Sequence, residues 1–254
     1  MSVPTVFTST SAGSYERDTN GSTFLDAIPC VVPGRTHWLA LPVSHWWNTV
    51  AERLGPRELK RRLWHMTPGL LPCLFWVLPH ADPLTPVWLF NIAMDGFILA
   101  FSCGYWSRTF SREGERNCLC ASIGYSTLVV LAVFLFPGQI EIGMAVLAIL
   151  AFGDGSATLG GLLLKGPTLP WNREKTWAGS MCFLLGGVPL AALFYWGEAR
   201  PGVPWDVALL CAGTAAVMSA IAESVSSRIN DNIRVGVTAL LMMVIMNHYL
   251  LGWS

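Results

Sequence analysis

Charged residues are scarce in this sequence. Asp, Glu, Lys and Arg make up 13% of its 254 residues, where a soluble domain carries about 25%. Sixteen basic and sixteen acidic residues leave no formal net charge, which excludes the basic footprint of a nucleic-acid binder. No nucleic acid is expected as a partner. The seven cysteines include no CxxC pair and give an odd total, which excludes a disulfide framework and a zinc ribbon. The phosphate loop GxxxxGK[ST], the kinase signatures HRD and DFG, and HExxH are all missing. What is plentiful is apolar: 53% of the residues are hydrophobic, and the mean hydropathy is +0.48. That excludes a disordered chain and points to a polytopic membrane protein.

Residues 1–45 are rich in Ser and Thr, punctuated by Pro, and without sustained periodicity. No apolar stretch follows a basic one there, so no secretory signal is expected. Glu16, Asp18 and Asp26, with sparse Arg, argue against a transit peptide. This stretch reads as a flexible tail and 46–254 as one membrane-embedded domain. From residue 66 onward, apolar blocks alternate with short polar loops, at about 66–79, 86–104, 119–136, 141–164, 177–196, 206–222 and 233–251. A spanning helix needs about 20 residues, so the first block is short. The expected fold is all-α: a polytopic bundle of about seven transmembrane helices in a lipid bilayer. Trp64, Trp76, Trp88, Trp106, Trp177, Trp196, Trp205 and Trp253 fall at or near block ends, as an interfacial aromatic belt does. Beyond residue 45, thirteen basic residues precede the first block or follow the second, fourth and sixth; the opposite loops hold only Arg200. By the positive-inside rule those thirteen face the cytoplasm.

Polar residues within and beside the blocks are the candidates for chemistry. The apolar run from Ile140 to Phe152 amounts to about 20 Å of helix, short of a hydrocarbon core of about 30 Å. The helix therefore continues through Gly153-Asp154-Gly155-Ser156-Ala157-Thr158-Leu159-Gly160-Gly161. That places Asp154 in the cytoplasmic third of the membrane, where a carboxylate is costly unless paired, metal-bound or in a watery cavity. Ala157 and Gly161 follow at i+3 and i+7, so a neighbouring backbone or a ligand can come close. A structural Asp in a helix-packing motif is the competing reading. Arg173-Glu174-Lys175-Thr176 then stands at a helix start, where free N–H groups, a hydroxyl and an ammonium suit phosphate. An ordinary basic loop is the plainer alternative.

Glu223, Ser227, Asn230 and Asp231 share one face if their helix is continuous, yet the two acids would then stand about 12 Å apart. Either the helix breaks near Asn230 or the acids serve different ends; a solvated loop with capping Asn and Asp is the alternative. His65 follows Lys60-Arg61-Arg62 into the bilayer. Asn91 and Asp95, four apart on the second block, are set either to bond across helices or to line the same cavity. His65, Asp154, Lys175, Glu223 and Asp231 all fall on the cytoplasmic side of the blocks. One membrane-embedded site, with carboxylates for Mg2+ and cations for phosphates, accounts for all five.

Gly153-Asp154-x-x-Ala157 with Gly160, then Lys175-Thr176-x-x-Gly179-Ser180, then Glu223…Asp231-Asn232, resembles the polyprenol kinase family. That family comprises phytol, farnesol and dolichol kinases and CTP-dependent diacylglycerol kinases, and is related to phosphatidate cytidylyltransferases. Arg62-x-x-His65-x-x-x-Gly69 is similar to the family's basic-His entry to its first core span. The likeness runs over about residues 58–251. Ala178 stands where the family often has Glu, and Asn230 where phytol kinases tend to have Asp. The resemblance implies transfer of the terminal phosphate of a nucleoside triphosphate, often CTP, to a membrane lipid alcohol.

On that basis Asp154 and Asp231 are expected to hold Mg2+, with Glu223 as a further ligand or partner. Lys175 and Arg173, with Thr176, Gly179, Ser180 and Asn232, are expected on the nucleotide, and His65 beside the transferred phosphoryl group. An isoprenoid acceptor such as phytol, farnesol or a polyprenol is expected over diacylglycerol. The small residues Gly153, Ala157, Gly160 and Gly161 let helices approach and leave a narrow slot. A cytidylyltransferase would use the same donor and metal face on a lipid that presents a phosphate. A transporter or scaffold would consume no nucleotide.

Overall fold

The structure is a computed structural model describing residues 50–78, 80–110, 118–199, 202–227 and 229–252. The expected tail at 1–45 lies outside the described residues, as do Arg112, Arg116, Arg200, Arg228 and Trp253. Block after block folds as helix: α1 (Pro56–Met66), a 3-10 turn (Thr67–Leu70) into α2 (Leu71–Val77), α3 (Pro86–Phe110) and α4 (Cys118–Leu135). Then follow α5 (Ile140–Leu164), α6 (Trp177–Glu198), α7 (Trp205–Ser224) and α8 (Asp231–Leu251). The chain between α5 and α6 forms a small antiparallel hairpin, β1 (Thr168–Leu169) with β2 (Asn172–Thr176), pairing Leu169 with Asn172. Helices satisfy their own backbone hydrogen bonds, as a bilayer demands. Helices α5 to α8 are each long and apolar enough to cross a membrane, and α3 and α4 carry the shorter apolar stretches Pro86–Ser102 and Ile123–Leu135. The protein is an all-α membrane bundle.

Helix α5 is its core. Ile140 to Ala151 is buried without a break, as befits a helix that is apolar all round. Helix α7 turns Ala208, Cys211, Ala212, Ala215, Ala216 and Ser219 inward. Spaced by one, three and four residues, they are the small side chains that let membrane helices approach closely. The outer faces present Phe97, Leu185, Leu241 and Ile245, each more than half exposed, a surface suited to lipid and ill suited to water.

The first apolar block does not form one long helix. Pro68 and Pro72 each lack a backbone N–H, and the chain breaks there into the 3-10 turn and the seven residues of α2. The block still crosses the bundle. At its start His65 meets Asp154. At its end Trp76 meets Phe194 edge to face, with ring centroids 5.6 Å apart, and His80 meets Glu198 at the far end of α6. Leu84 N–H bonds to Pro137 O at the same far end. The segments joining α2 to α3 and α4 to α5 thus meet at one end of the bundle.

Candidate active site

Asp154 owes its place to an irregular helix. Residues Ile149–Gly153 make a π-helical turn inside α5, a distortion that recurs at functional sites. Asp154, 7% exposed, directs Oδ2 to within 3.2 Å of His65 Nε2. The His65 ring in turn meets the edge of Tyr125 on α4, centroids 5.2 Å apart. Thr158, one turn beyond Asp154, lines the same cavity. A membrane carboxylate paired in this way avoids the cost of an isolated buried charge.

Lys175 is placed by the hairpin. Trp171 Nε1–H donates to Ser224 Oγ at 3.1 Å and Asn172 Nδ2 to Ser224 O at 3.0 Å. These two bonds fasten β2 to the end of α7. Lys175 Nζ then lies 2.6 Å from Glu223 Oε1 and 3.2 Å from Asp231 Oδ2. Burial alone would push the ammonium's pKa down, but Glu223, Asp231 and the more distant Asp154 together hold it above its ordinary value. The helix does break near Asn230: α7 ends at Ser224, and Asn230 caps α8 by accepting from Asn232 N–H. The break resolves the spacing problem, since both acids now reach one ammonium. Arg234 adds a second cation on Asp231.

His65, Tyr125, Asp154, Thr158, Lys175 and Asp231 border one cavity of about 580 Å3, whereas Glu223 and Arg234 do not line it. Its charged end carries Arg62, His65, Asp154, Lys175, Asp231 and Asn232; from there it runs on between α2, α3 and α4 along Leu71, Phe75, Trp88 and Val133. Asn91 and Asp95 line it too, so of their two readings the shared cavity is the one the structure has.

Several expected contacts fall elsewhere. Thr176 is the N-cap of α6, its hydroxyl accepting from Gly179 N–H at 3.1 Å. Ser180 Oγ bonds back to Thr176 O, and Gly179 is pressed against Ala157 O of α5. Arg173 is exposed on β2. None of these four borders the cavity. The small residues of α5 do not open a slot: Gly153 packs on Phe183, Gly160 on Cys182 and Gly161 on Thr176, all at α6 or its cap. The apolar arm lies on another side of α5. Tyr125, Arg234 and the Trp171–Asn172 anchor are the residues that sequence reasoning missed. Only Arg234, three residues after Asp231, carried a signal, the ion-pair spacing of one helix face.

Among the described residues no three of His, Cys, Asp and Glu gather closely enough to hold a metal ion. Lys175 lies between Glu223 and Asp231 instead, so the three-carboxylate ligand set is not assembled in this arrangement. Mg2+ at nucleotide sites needs only one or two carboxylates, because phosphates and waters complete its shell. The donors present suit magnesium that arrives on a nucleotide and do not form a closed cage for a resident ion.

Fold and cavity together define a membrane-embedded helical protein with a charged recess continuous with an apolar one. Relatives place it further. It is 30% identical over 205 residues to a probable chloroplastic phytol kinase of Zea mays, covering 75% of this chain and 67% of that protein. Over 246 residues it is 28% identical to probable phytol kinase 2, chloroplastic, of Oryza sativa subsp. japonica, covering 87% and 80%. With phytol kinase 1, chloroplastic, of Arabidopsis thaliana it shares 25% over 198 residues, 73% and 65%. The chain belongs to the phytol and polyprenol kinase-like family. No family model matches it, and no solved structure does.

Proposed function

We propose that this protein is a lipid-alcohol kinase that moves the terminal phosphoryl group of a nucleoside triphosphate, CTP in our reading, to the hydroxyl of a single-chain isoprenoid alcohol of the phytol type. The observation that carries this is the single cavity whose one end is charged and whose other end is apolar. A water-soluble donor suits the first and a lipid tail the second. Kinases of this kind act mainly by positioning and charge neutralisation, which needs no nucleophilic side chain.

In this reading the acceptor hydroxyl lies at the junction of the two arms, beside His65 and Asp154. Its oxygen bonds to the terminal phosphorus, the bond from that phosphorus to the bridging oxygen breaks, and the electron pair leaves on the nucleoside diphosphate. The hydroxyl proton passes to the His65–Asp154 pair. Lys175 and Arg62 offset the phosphate charge, and Glu223 fixes Lys175 in place. Asp231 and Asp154 would be the protein carboxylates that hold Mg2+ bound to the nucleotide, which would supply screening of the phosphate charge. The charged end faces the cytoplasm or the equivalent nucleotide-bearing compartment, as the thirteen-to-one distribution of basic residues suggests.

The cavity of about 580 Å3 falls within the range of small-molecule sites, roughly 300–1,000 Å3. The test is CTP labelled separately in the base and in the γ-phosphate, given to purified protein with phytol, farnesol, a polyprenol, diacylglycerol or phosphatidate. A kinase transfers only the γ label to an alcohol. Base label on the lipid would make the protein a cytidylyltransferase, and phosphorylation of diacylglycerol alone would remove the isoprenoid reading.

A further inference from the structure

A second recess lies where α7 and α8 meet. Val225 from the end of α7, Ile229 from the break, and Ile233 and Val237 from α8 form a groove of about 400 Å3 around Arg234 and Thr238. Arg234 stands in the first turn of α8, at the charged end of the bundle. Leu241 and Ile245 follow one and two turns beyond Val237 on the same side of α8, and all three are exposed. Ile229 borders both this groove and the cavity, so the two recesses lie back to back. Arg234 joins them. Its Nη2 donates to Asp231, which borders the cavity, and its Nη1 to Val225 O. The buried Nε has no acceptor among the described residues.

We propose that this groove holds one anionic phospholipid, its phosphate on Arg234 and a chain along Val237, Leu241 and Ile245. Its effect on turnover rests on the lipid-alcohol kinase reading above; its binding does not. Charge and depth choose the occupant. A guanidinium in an apolar recess between two spanning helices, at head-group level, suits the phosphate of an acidic lipid. Phosphatidylcholine offers the same phosphate with a fixed cation beside it, which opposes Arg234. The consequence reaches the donor end. Asp231 now gives Oδ1 to Arg234 and Oδ2 to Lys175. A lipid phosphate on Arg234 competes with Oδ1 and returns that oxygen to the cavity, where the nucleotide is read to bind. The general field of an acidic membrane works the other way, since it repels a nucleoside triphosphate. The sign of the response therefore separates a built site from the field.

The experiment places the whole chain in vesicles of phosphatidylcholine alone or mixed with phosphatidylglycerol. Wild type is expected to retain one phosphatidylglycerol in native mass spectrometry. Its KM for CTP should be about fivefold lower in the mixed vesicles, the low end of ordinary coupling between sites. Arg234→Gln loses both signals. Val237→Trp fills the groove and leaves the Arg234–Asp231 pair in place, so it loses both signals but keeps the KM seen in phosphatidylcholine. Should Arg234→Gln fail to accumulate, Val237→Trp carries the test, because Val237 is 39% exposed. Wild type that retains no phosphatidylglycerol overturns the site, as does Val237→Trp that retains it. A wild-type KM for CTP that is equal or higher in the mixed vesicles overturns the link to Asp231. Soluble glycerol phosphate that lowers the KM equally well in phosphatidylcholine vesicles overturns the lipid as occupant, as does retention of a prenyl phosphate in preference to phosphatidylglycerol. Retained phosphatidylglycerol in a protein that phosphorylates no alcohol overturns the kinase reading and leaves the lipid site standing.

Discussion

Lys175 Nζ lies 2.6 Å from Glu223 Oε1 although 48 residues separate them, and the same nitrogen reaches Asp231 on the next helix. One ammonium thus ties the hairpin to both sides of the break between α7 and α8. Lys175→Ala should raise the nucleotide KM far more than the lipid KM. It also leaves Glu223 buried without its cation, which costs about 3–5 kcal/mol in stability. The double variant Lys175→Met with Glu223→Gln removes both charges, so a thermal-unfolding cycle should show most of the stability restored while turnover stays lost. Restored turnover in the double variant would make Lys175 a structural tie alone.

The charge on Lys175 also sets a pH limit. Its pKa is raised above the ordinary 10.5 by Glu223 and Asp231 in spite of burial. The folded state therefore binds this proton more tightly than the unfolded chain, and the stability it contributes is whole below the ordinary value. That contribution disappears as pH rises through the folded value. Nucleotide KM should stay free of any Lys175 titration up to about pH 9. A lysine-dependent rise in KM between pH 7 and 9, absent from Lys175→Arg, would contradict this.

Asp154→Asn keeps shape and volume but removes the charge facing His65. If the pair takes the acceptor's proton, kcat should drop by roughly a hundred- to ten-thousand-fold, the usual worth of general-base catalysis. Insertion and detergent melting should hardly change. Near-normal turnover in Asp154→Asn would reduce the carboxylate to a helix-packing role.

The hairpin supplies a test of positioning without touching the reacting groups. Asn172→Ala removes the bond to Ser224 O, and Trp171→Phe removes the bond to Ser224 Oγ. Each loosens β2 on α7 and so lets Lys175 drift. The expected result is a several-fold rise in nucleotide KM, steeper in the double variant, with the lipid KM as in wild type. An unchanged nucleotide KM in the double variant would mean that Glu223 and Asp231 place Lys175 unaided.

Most of the bundle is legible because lipid imposes a simple rule: long apolar blocks become helices, and six of the seven blocks did so with small shifts at their ends. Asp154 was legible for the same reason, since a carboxylate inside such a block is too costly to be idle. The first block was not, because Pro68 and Pro72 act on backbone hydrogen bonding, which hydropathy does not register. Thr176, Gly179 and Ser180 misled in another way. A helix start has free N–H groups in principle, but here the Thr176 hydroxyl takes that of Gly179 and Pro167 O takes that of Trp177. The small residues of α5 gave the right local rule, close helix approach, and the wrong partner: α6 fills the space that a lipid was expected to enter. The cavity's apolar arm depends on side chains from three helices far apart in sequence, so no local pattern announces it.

The arrangement of ends yields the last prediction. His65, Lys175 and Asp231 meet at one end of the bundle, whereas His80 and Glu198 meet at the other, where Leu84 also bonds to Pro137 O. Helix α6, Trp177–Glu198, runs between the two sites with 22 residues, about 33 Å of rise, roughly the thickness of a hydrocarbon core. In a background lacking the native cysteines, Lys165→Cys beside the hairpin and Gly138→Cys between α4 and α5 should therefore label from opposite faces. Both positions are exposed, so access is decided by the membrane and not by burial. The Lys165→Cys side should be the face on which added CTP supports turnover in sealed vesicles. Labelling of both cysteines from one face would break the order of crossings. Labelling from opposite faces, with CTP active only on the Gly138 side, would leave the bundle intact and invert its orientation.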